Sequence, residues 1–498
     1  MQKLSVKQAK VYNLEEEKFK QNLSALSSNS ISKKIIYFPD ESGKIEGFEV
    51  IESSVFSEEL ARKYPQIKSY RGTGVNDASK RIRFSISQKG VQSMLIDTDD
   101  TVATFMQKTQ DGDYLLYSRK SNDVIDKNFI CETKDAILSS KVSPLPSLVD
   151  GQILRKYRVA ISTTGEYTQY HGGTIADALA AINATLTRIN MVFETDLAVT
   201  LELVANTDLV IYTDAATDPY SGNLNAEVQS TFNSVIGAAN YDIGHLLDKD
   251  TNGGDAGFVG AVCVDAKKGS AYSSGVTPEG DLFDIDFVAH EMGHQLGANH
   301  TWSFESEGTQ VQAEPGSGST IMGYAGIVGV NNVASSGQDY FHYNSIKQII
   351  SYLETTSCAT EIPIANNPPV IVATPDYVIP KGTAFVLNGN ATDDASDVLT
   401  YTWEQIDDGV VTNTSFGPDN PSGANFRSQK PTSIPDRYFP KLSSIIQGNL
   451  TQTNPTVNSA WETVSNVERE MNFALTVRDN VSGGGQVTSD EVKVNVMN

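Results

Sequence analysis

One short run, HEMGHQLGANH, contains His290, His294 and His300 and constrains this chain more than any other feature. Residues four apart lie on one face of a helix, so His290 and His294 can direct their imidazole rings at one ion. Because glycine adopts positive φ freely, the chain can leave the helix at Gly297 and return His300 to the same ion. The spacing therefore predicts a zinc ion held by three histidines at the end of a helix.

Glu291, the second residue of the run, is predicted to do chemistry rather than to bind the metal. It lies about 100° round the helix from His290, where a carboxylate can take a proton from a water molecule that the zinc activates. Three protein ligands leave a fourth place for that water, which is typical of catalytic rather than structural zinc sites. The alternative interpretation is a surface helix that carries these residues without a function.

The residues just before this helix include two acids, Asp284 and Asp286, followed by an apolar run from Phe287. Acidic side chains are favourable at a helix N-terminus, where they cap backbone N–H groups and interact with the helix dipole. We therefore expect ordinary helix-end charges there, with the buried part of the helix beginning at Phe287.

The full pattern of the run, HExxHxxGxxH, is the long zinc-binding signature of the metzincin metallopeptidases. From about Leu154 to Cys358 the chain resembles a reprolysin-type (adamalysin-like) domain of secreted bacterial proteases, and the run RKYRVA from Arg155 resembles its first strand. This resemblance implies an α/β metzincin catalytic domain, zinc as cofactor, and proteins or peptides as substrates. Thr301 is a departure, since adamalysins usually have Asp after the third histidine.

Two further segments resemble parts of that family's active site. Met322, in the run STIMGY, resembles the Met-turn that metzincins place beneath the zinc. Tyr324 matches a tyrosine that touches the zinc or the oxyanion in related families; the alternative is a buried tyrosine whose hydroxyl is hydrogen-bonded. The upper edge strand, against which a substrate would lie extended, is predicted at Gly257, Phe258, Val259 and Gly260.

The chain has three cysteines. By their distances either side of the zinc helix, Cys263 and Cys358 match the pair that adamalysins join as a disulfide, which would imply an oxidising compartment. Two buried free thiols are the alternative. Cys131 resembles the cysteine late in related propeptides that caps the zinc of the zymogen, although Glu132 stands where those segments have Gly. The alternative for Cys131 is a small buried residue in a β-rich domain.

Charge divides the chain into two parts. Residues 1–150 contain 22 Lys and Arg against 21 Asp and Glu, whereas residues 151–498 contain 16 against 40 and carry a net charge of −24. The step predicts a propeptide at 1–150 that inhibits and helps to fold the zinc metallopeptidase domain at 151–361. A predicted helix near Val6 to Leu23 and the alternating runs after it indicate that this propeptide is β-rich (α+β). The acidic excess argues against nucleic acid as a partner and makes calcium a second candidate cofactor.

A stretch rich in Pro and Asn leads into residues 362–498, where short alternating runs are separated by Gly, Asn and Asp. This pattern predicts an all-β sandwich with Trp403 in its core, and it resembles an immunoglobulin-like or PKD-like accessory module. Because folds of this kind serve many purposes, the pattern assigns this part no activity.

Export is predicted from the family resemblance, the cysteine pair and the propeptide. The sequence itself shows no recognisable signal peptide and no apolar run of transmembrane length. Two functions of different class follow: a secreted zinc endopeptidase made as a zymogen, or a non-catalytic adhesion or binding protein on a metzincin scaffold. Glu291 favours the enzyme, because an inactive relative would be expected to lose the base or a ligand first.

Overall fold

The computed structural model describes residues 9–24, 33–98, 103–109, 111–119, 129–137, 151–394 and 397–498. Its N-terminal part is an antiparallel sheet with two short helices, α1 (Glu16–Leu23) and α2 (Glu58–Lys63). The strands are β1 (Lys10–Tyr12), β2 (Lys34–Pro39), β3 (Ile45–Glu52), β4 (Lys68–Gly74), β5 (Lys80–Ser87), β6 (Gly90–Asp97), β7 (Thr104–Lys108) and β8 (Tyr114–Ser118), in the sheet order β1-β8-β7-β6-β5-β4-β3-β2. The expected β-rich segment is present, but the predicted opening helix is wrong over residues 10–12, which form β1.

This N-terminal sheet packs against the long helix α4 (Ile175–Asp196) of the following domain. Phe105 of the sheet and Ile189 of α4 lie in one hydrophobic core, and both are fully buried. Arg83 of β5 forms a buried ion pair with Glu194 of α4. Because a buried guanidinium needs a paired charge, this pair fixes how the sheet sits on the helix, and the two parts share one core.

The second part is a mixed sheet flanked by helices, as expected for an α/β domain. Its strands are β9 (Ile130–Cys131), β10 (Ile153–Thr163), β11 (Val199–Leu203), β12 (Ile243–Asp248), β13 (Gly253–Asp255), β14 (Ala271–Ser274) and β15 (Thr360–Pro363), in the order β11-β10-β12-β14-β13-β9 with β15 beside β10. The helices are α3 (Gly165–Tyr170), α4, α5 (Leu224–Thr231), α6 (His290–Gln295) and α7 (Tyr343–Leu353), with π-helical turns at Phe232–Ile236 and Leu282–Ala289 and 3-10 turns at Thr207–Val210, Ala238–Asn240 and Gly329–Asn331. One edge of this sheet is therefore β9, a strand from the N-terminal segment.

The predicted edge strand is wrong, because the four residues assigned to it form a bent loop: Gly257, Phe258, Val259 and Gly260. Gly257 and Gly260 have φ of 71° and 70°, left-handed conformations that an extended strand does not contain. The N–H of Gly260 donates to the carbonyl oxygen of His294 (2.9 Å) instead of to a neighbouring strand. The strand that borders the metal site is β13, which pairs with β14 on one side and with β9 on the other.

The predicted disulfide between Cys263 and Cys358 is present and joins residues 95 apart in the sequence. Replacing both cysteines with alanine is expected to lower the free energy of unfolding by roughly 4 kcal/mol, because a closed loop of this length restricts the unfolded chain. Urea unfolding of the double variant beside the parent measures the effect. An unchanged midpoint and slope would contradict a stabilising role for this bond.

The C-terminal part is rich in β-structure, as expected. Its strands are β16 (Val370–Ile371), β17 (Tyr377–Pro380), β18 (Phe385–Asn388), β19 (Ala391–Thr392), β20 (Thr400–Gln405), β21 (Asp436–Phe439), β22 (Arg469–Arg478) and β23 (Val487–Met497), with a short helix α8 (Leu442–Ile446). One sheet has the order β17-β23-β22-β20, while β18 pairs with β21 and β16 with β19. Trp403 lies in the core with Phe439 and Phe473. Over the described residues, no helix combines the length and the apolar character needed to cross a membrane.

Buried polar contacts fasten the C-terminal part to the α/β domain. Arg478 is 1% exposed and donates to Oδ1 of Asp196 (2.7 Å), while Oδ2 of Asp196 accepts the N–H of Phe341 (2.6 Å). The carboxylate of Glu404 accepts the N–H of Tyr343 (2.8 Å). Breaking such a buried pair is strongly unfavourable, so this part is packed onto the α/β domain and is not tethered by a linker alone.

Candidate metal centre

The zinc motif lies on a buried helix whose first section, Leu282–Ala289, is π-helical and continues into α6. Apolar side chains such as Phe283 and Ile285 are fully buried, as expected of a helix surrounded by protein. The helix ends before Gly297, which has φ of 114° as its place in the motif predicts. A Cβ at Gly297 would lie 2.8 Å from Cβ of Tyr352, so glycine is required there for space as well as for backbone conformation.

The two acids before the motif are not the ordinary helix-end charges that the sequence predicts. Asp284 accepts hydrogen bonds from Arg188 and from Thr185, both at 2.6 Å, and Asp286 accepts one from Arg119. The prediction is wrong because this helix begins inside the protein, where a carboxylate requires a cation or donors beside it. The zinc helix is thus held by α4 on one side and by the N-terminal segment on another.

The first two motif histidines direct Nδ1 toward a hydrogen-bond acceptor and Nε2 toward a common centre. Nδ1 of His290 donates to the carbonyl oxygen of Ile321 (2.7 Å), and Nδ1 of His294 donates to that of Ala298 (2.8 Å). These bonds fix the tautomer and leave Nε2 available to a metal. Burial, followed by the charge of His300, lowers the pKa of His294 to about 3, which keeps its ring in the neutral form that binds metals.

His300 closes the group from the other side. Its Nε2 lies 3.1 Å from Nε2 of His294, and its Nδ1 faces carboxylate oxygens of Asp135 and Glu307, both at 3.1 Å. Burial opposes protonation of His300, but the hydrogen bond to Asp135 raises its pKa well above the ordinary value. A carboxylate behind a metal-binding imidazole orients the ring and strengthens it as a ligand.

These residues fit a zinc ion. Zinc–nitrogen bonds of about 2.0 to 2.1 Å in a tetrahedron place ligand nitrogens roughly 3.3 Å apart, close to the separation of the two Nε2 atoms. Nε2 of His290 is buried and makes no hydrogen bond within the described residues, and buried polar atoms are seldom left without a partner. The ligand atoms of the three histidines and Cys131 all lie within 4.8 Å of one another.

Glu291 is fully buried beside the three histidines. Its Oε2 accepts a hydrogen bond from the Thr133 hydroxyl (2.9 Å), whereas its Oε1 makes no hydrogen bond with any described residue. Burial raises the pKa of Glu291 to about 7, which suits a group that takes and returns protons near neutral pH. Gly254 of β13 leaves the space for this carboxylate, since a Cβ there would lie 2.5 Å from Oε1.

The predicted Met-turn residue lies directly against the zinc helix. A Cβ on Gly293 would lie 2.6 Å from Sδ of Met322, so the small residue inside the motif allows this contact. The carbonyl oxygen of Met322 accepts the N–H of Thr301 (3.1 Å), the residue after the third histidine. The Tyr324 hydroxyl lies 2.9 Å from Nε2 of His300. This contact fits both interpretations of Tyr324, because it places the hydroxyl beside a predicted metal ligand and also gives it a hydrogen-bond partner.

A segment of the N-terminal part, residues 129–137, runs through the metal site. Sγ of Cys131 lies 3.7 Å from Nε2 of His294. The strand β9 runs parallel to β13, and the N–H of Glu132 donates to the carbonyl oxygen of Gly254 (2.8 Å). The structure therefore brings Cys131 to the metal site, beside the three histidines.

Both ends of the same segment are held by the α/β domain. The Phe129 ring stacks on Phe287 with 4.3 Å between the ring centres. Asn299 forms two hydrogen bonds with the backbone of Ala136, donating to its carbonyl oxygen (3.0 Å) and accepting its N–H (2.9 Å). A side-chain amide that pairs with a backbone amide in this way is suited to hold an extended peptide.

A buried glutamate, Glu314, binds Thr301, the residue after the third histidine. Oε1 of Glu314 accepts a hydrogen bond from the Thr301 hydroxyl (2.7 Å), and its Oε2 accepts the N–H of Ser319 (2.8 Å). Glu314 thus joins the segment after His300 to the Met-turn.

Sequence reasoning predicted the three histidines and Glu291 that the structure brings together, but it missed six residues around them. Of the missed residues only Gly254 had a signal, because a glycine within a strand often marks a close backbone approach. The other five act through distant partners that the sequence does not reveal. The missed residues are Thr133, Asp135, Gly254, Asn299, Glu307 and Glu314.

The comparisons with known proteins agree with this geometry. The family model described as Metallo-peptidase family M12B Reprolysin-like matches residues 154–353. That span contains the zinc motif, Met322 and Tyr324, but neither the N-terminal sheet nor the C-terminal part. The match indicates a zinc-dependent peptidase over these residues. None of the curated proteins matches the chain.

Proposed function

We propose that the protein is a secreted zinc endopeptidase made as a latent zymogen, with residues 1–150 as its propeptide and intramolecular inhibitor. The observation that carries the proposal is the convergence of the three motif histidines on one buried centre whose remaining side holds Cys131. The family match over residues 154–353 supports peptide-bond hydrolysis. A non-catalytic adhesion or binding protein is less favoured, because Glu291 is retained beside the centre.

The residues around the centre divide the chemistry among them. Zinc, when bound by the three histidines, supplies a Lewis acid that polarises a carbonyl group and makes a water molecule more acidic. Glu291 takes the proton of that water, and its Oε1, which makes no hydrogen bond with any described residue, is the atom that receives it. The Tyr324 hydroxyl, beside His300, donates a hydrogen bond to the oxyanion that develops on the substrate.

One edge of β13 is covered by β9 in the intact chain and would become exposed once the propeptide has left, giving an extended substrate a place to bind. The same backbone now pairs with β9, where Gly254 accepts the N–H of Glu132. A peptide substrate would add to this edge as a further strand, with main-chain hydrogen bonds giving affinity. Asn299, which now holds the backbone of Ala136, would serve as a second clamp.

Latency is proposed to depend on three contacts of the segment 129–137. Cys131 takes the open side of the metal centre, where a thiolate is a strong zinc ligand. The Thr133 hydroxyl donates to Glu291 and so occupies one oxygen of the base. Asp135 contacts His300. Together these contacts would fill the place of the reactive water and hold Glu291 through its Oε2, while its Oε1 has no water to act on.

Activation requires that the N-terminal sheet leave, as well as a break in the chain. The predicted cleavage region, between about Lys141 and Arg155, lies largely outside the described residues. Strand β10 begins at Ile153 and pairs with β15, so we expect the cut before Ile153. The buried pair of Arg83 with Glu194 would still hold the sheet in place after that cut. A role for calcium stays a prediction.

In the protein freed of residues 1–150, which lacks Cys131, replacing His294 with alanine is expected to remove zinc, because His290 and His300 alone cannot hold it in a stable site. Zinc per chain, measured by plasma mass spectrometry after gel filtration, should fall from about one to a small fraction. His171→Ala is the matched control, since His171 lies outside the motif and bonds to the carbonyl oxygen of Pro278. Retention of zinc by His294→Ala, or equal loss in both variants, would contradict the proposed site.

A further inference from the structure

Arg119, at the end of the N-terminal sheet, inserts its guanidinium among three carboxylates of the α/β domain, here called the acid triad: Asp281, Asp286 and Asp339. Nη2 donates to Asp286 and Nη1 to Asp339, while Nε lies 3.6 Å from Oδ2 of Asp281. The Arg119 side chain is 3% exposed. A guanidinium that is buried and faces a different carboxylate with each of three nitrogens occupies a formed cation site, unlike a surface ion pair.

The spacing of the acid triad suits a guanidinium better than a metal ion. Elsewhere in the described residues, three groups of His, Cys, Asp and Glu place all their ligand atoms within 4.8 Å of one another, and the triad is not one of them. Its three carboxylates instead surround the planar guanidinium of Arg119. Arginine presents five N–H donors in a fixed plane, which matches carboxylates that are too widely spread to share one ion.

The triad adjoins the metal site through a cavity. Asp286 lines this cavity together with Phe129, Phe287 and Tyr324. Phe129 lies edge-on to His290, with 5.9 Å between the ring centres. Because Phe129 and Arg119 both belong to the N-terminal segment, its departure would open the cavity toward the metal site and empty the triad in the same step.

We infer that the acid triad is a guanidinium-binding subsite. Arg119 fills it in the intact chain, and the arginine side chain of a peptide substrate fills it after activation; only this second part rests on the proposed function. Lys430 lies 3.9 Å from Asp339 and remains with the activated chain. Asp339 therefore keeps a cation nearby when Arg119 leaves. Asp286 lines the cavity and loses its hydrogen bond from Arg119, so it is the acid of the triad on which the tests are based.

The first test needs no protease assay and uses the full chain. Arg119→Ala is expected to lower Tm by about 3 °C or more, and millimolar methylguanidinium should recover more than half of that loss by refilling the triad. Methylammonium and calcium ions at the same concentration are the controls and should recover little. Asp286→Asn, added to the Arg119 variant, should abolish the recovery. Equal recovery by the controls, or none with methylguanidinium, would overturn the inference.

The second test uses the activated parental protein and does not depend on folding of the Arg119 variant. Peptides with arginine beside the scissile bond should be cleaved about 10-fold faster, or more, than peptides with citrulline, its neutral isostere. Asp286→Asn should remove this preference, while Asp419→Asn, at an exposed position, should keep it. Equal rates for arginine and citrulline at every position overturn the substrate subsite. Absence of any cleavage contradicts the peptidase function instead, and the rescue experiment then decides the guanidinium site alone.

Discussion

Replacing Glu291 with glutamine is expected to reduce peptide hydrolysis by the activated protein about 10²- to 10⁴-fold while zinc stays bound. Glutamine has the shape of glutamate but cannot take a proton, so only the base is lost. The three histidines proposed to hold the metal keep their own hydrogen bonds to Ile321, Ala298 and Glu307. The measurement is kcat/KM on a fluorogenic peptide, with zinc content determined on the same samples.

Glu354→Gln is the matched control for this variant, because Glu354 is exposed at the end of α7. It should keep the parental kcat/KM. Near-normal hydrolysis by Glu291→Gln with zinc in place would show that another group is the base. Loss of zinc from that variant would show that Glu291 supports the metal centre itself, contrary to its position outside the ligand group.

Replacing Cys131 with alanine and Thr133 with valine together is expected to raise hydrolysis by the uncleaved chain roughly 10- to 100-fold. The reason is that a change of a few kcal/mol in the free energy of the blocked state, relative to the open state, changes the fraction of open sites by such a factor. The double variant removes Sγ from beside His294 and the hydroxyl from Glu291. Each single variant leaves one of these contacts and should give a smaller rise. Activity of the intact chain, checked for cleavage on a gel, is the measurement.

Thr73→Val in β4 is the matched control for the threonine change, and it should leave the intact chain latent. Zinc content should be equal in all of these variants. If the double variant were as inactive as the parent, the N-terminal sheet would block the site through other contacts, and Cys131 would not be the residue that enforces latency.

The metal centre could be predicted from the sequence because the residues that form it lie close together in the chain. Helical geometry relates His290 to His294, and the conformational freedom of Gly297 places His300, all within one short run. The structure has the positive φ at Gly297 that this reasoning requires. The disulfide could be predicted only through the family resemblance, since the spacing of two cysteines alone does not determine their pairing.

The edge strand could not be predicted, because an apolar run such as GFVGAVC reads as a strand. Its glycines instead turn the chain against the end of the zinc helix. The strand that borders the metal site, β13, is three residues long and carries no apolar pattern. Its extended conformation comes from pairing with β14 and β9, and β9 lies far away in the sequence.

Long-range pairing also explains why the contacts of Asp284 and Asp286, in the first section of the zinc helix, could not be predicted from the sequence. Asp284 meets Arg188, 96 residues away, and Asp286 meets Arg119, 167 residues away. At the sequence level each acid looks like a helix cap, because the dipole argument uses only nearby residues. In the structure these acids pair with buried arginines that are distant in the sequence. For the same reason the acid triad could be recognised only from the three-dimensional structure.

Hydrolysis of casein tests the central claim most directly, measured before and after removal of residues 1–150 and with and without a zinc chelator. A latent zinc endopeptidase predicts little hydrolysis by the intact chain and a large rise after removal of these residues. The chelator should abolish that activity, and added zinc should restore it. A protein freed of residues 1–150 that binds zinc but hydrolyses neither casein nor short peptides would contradict the account.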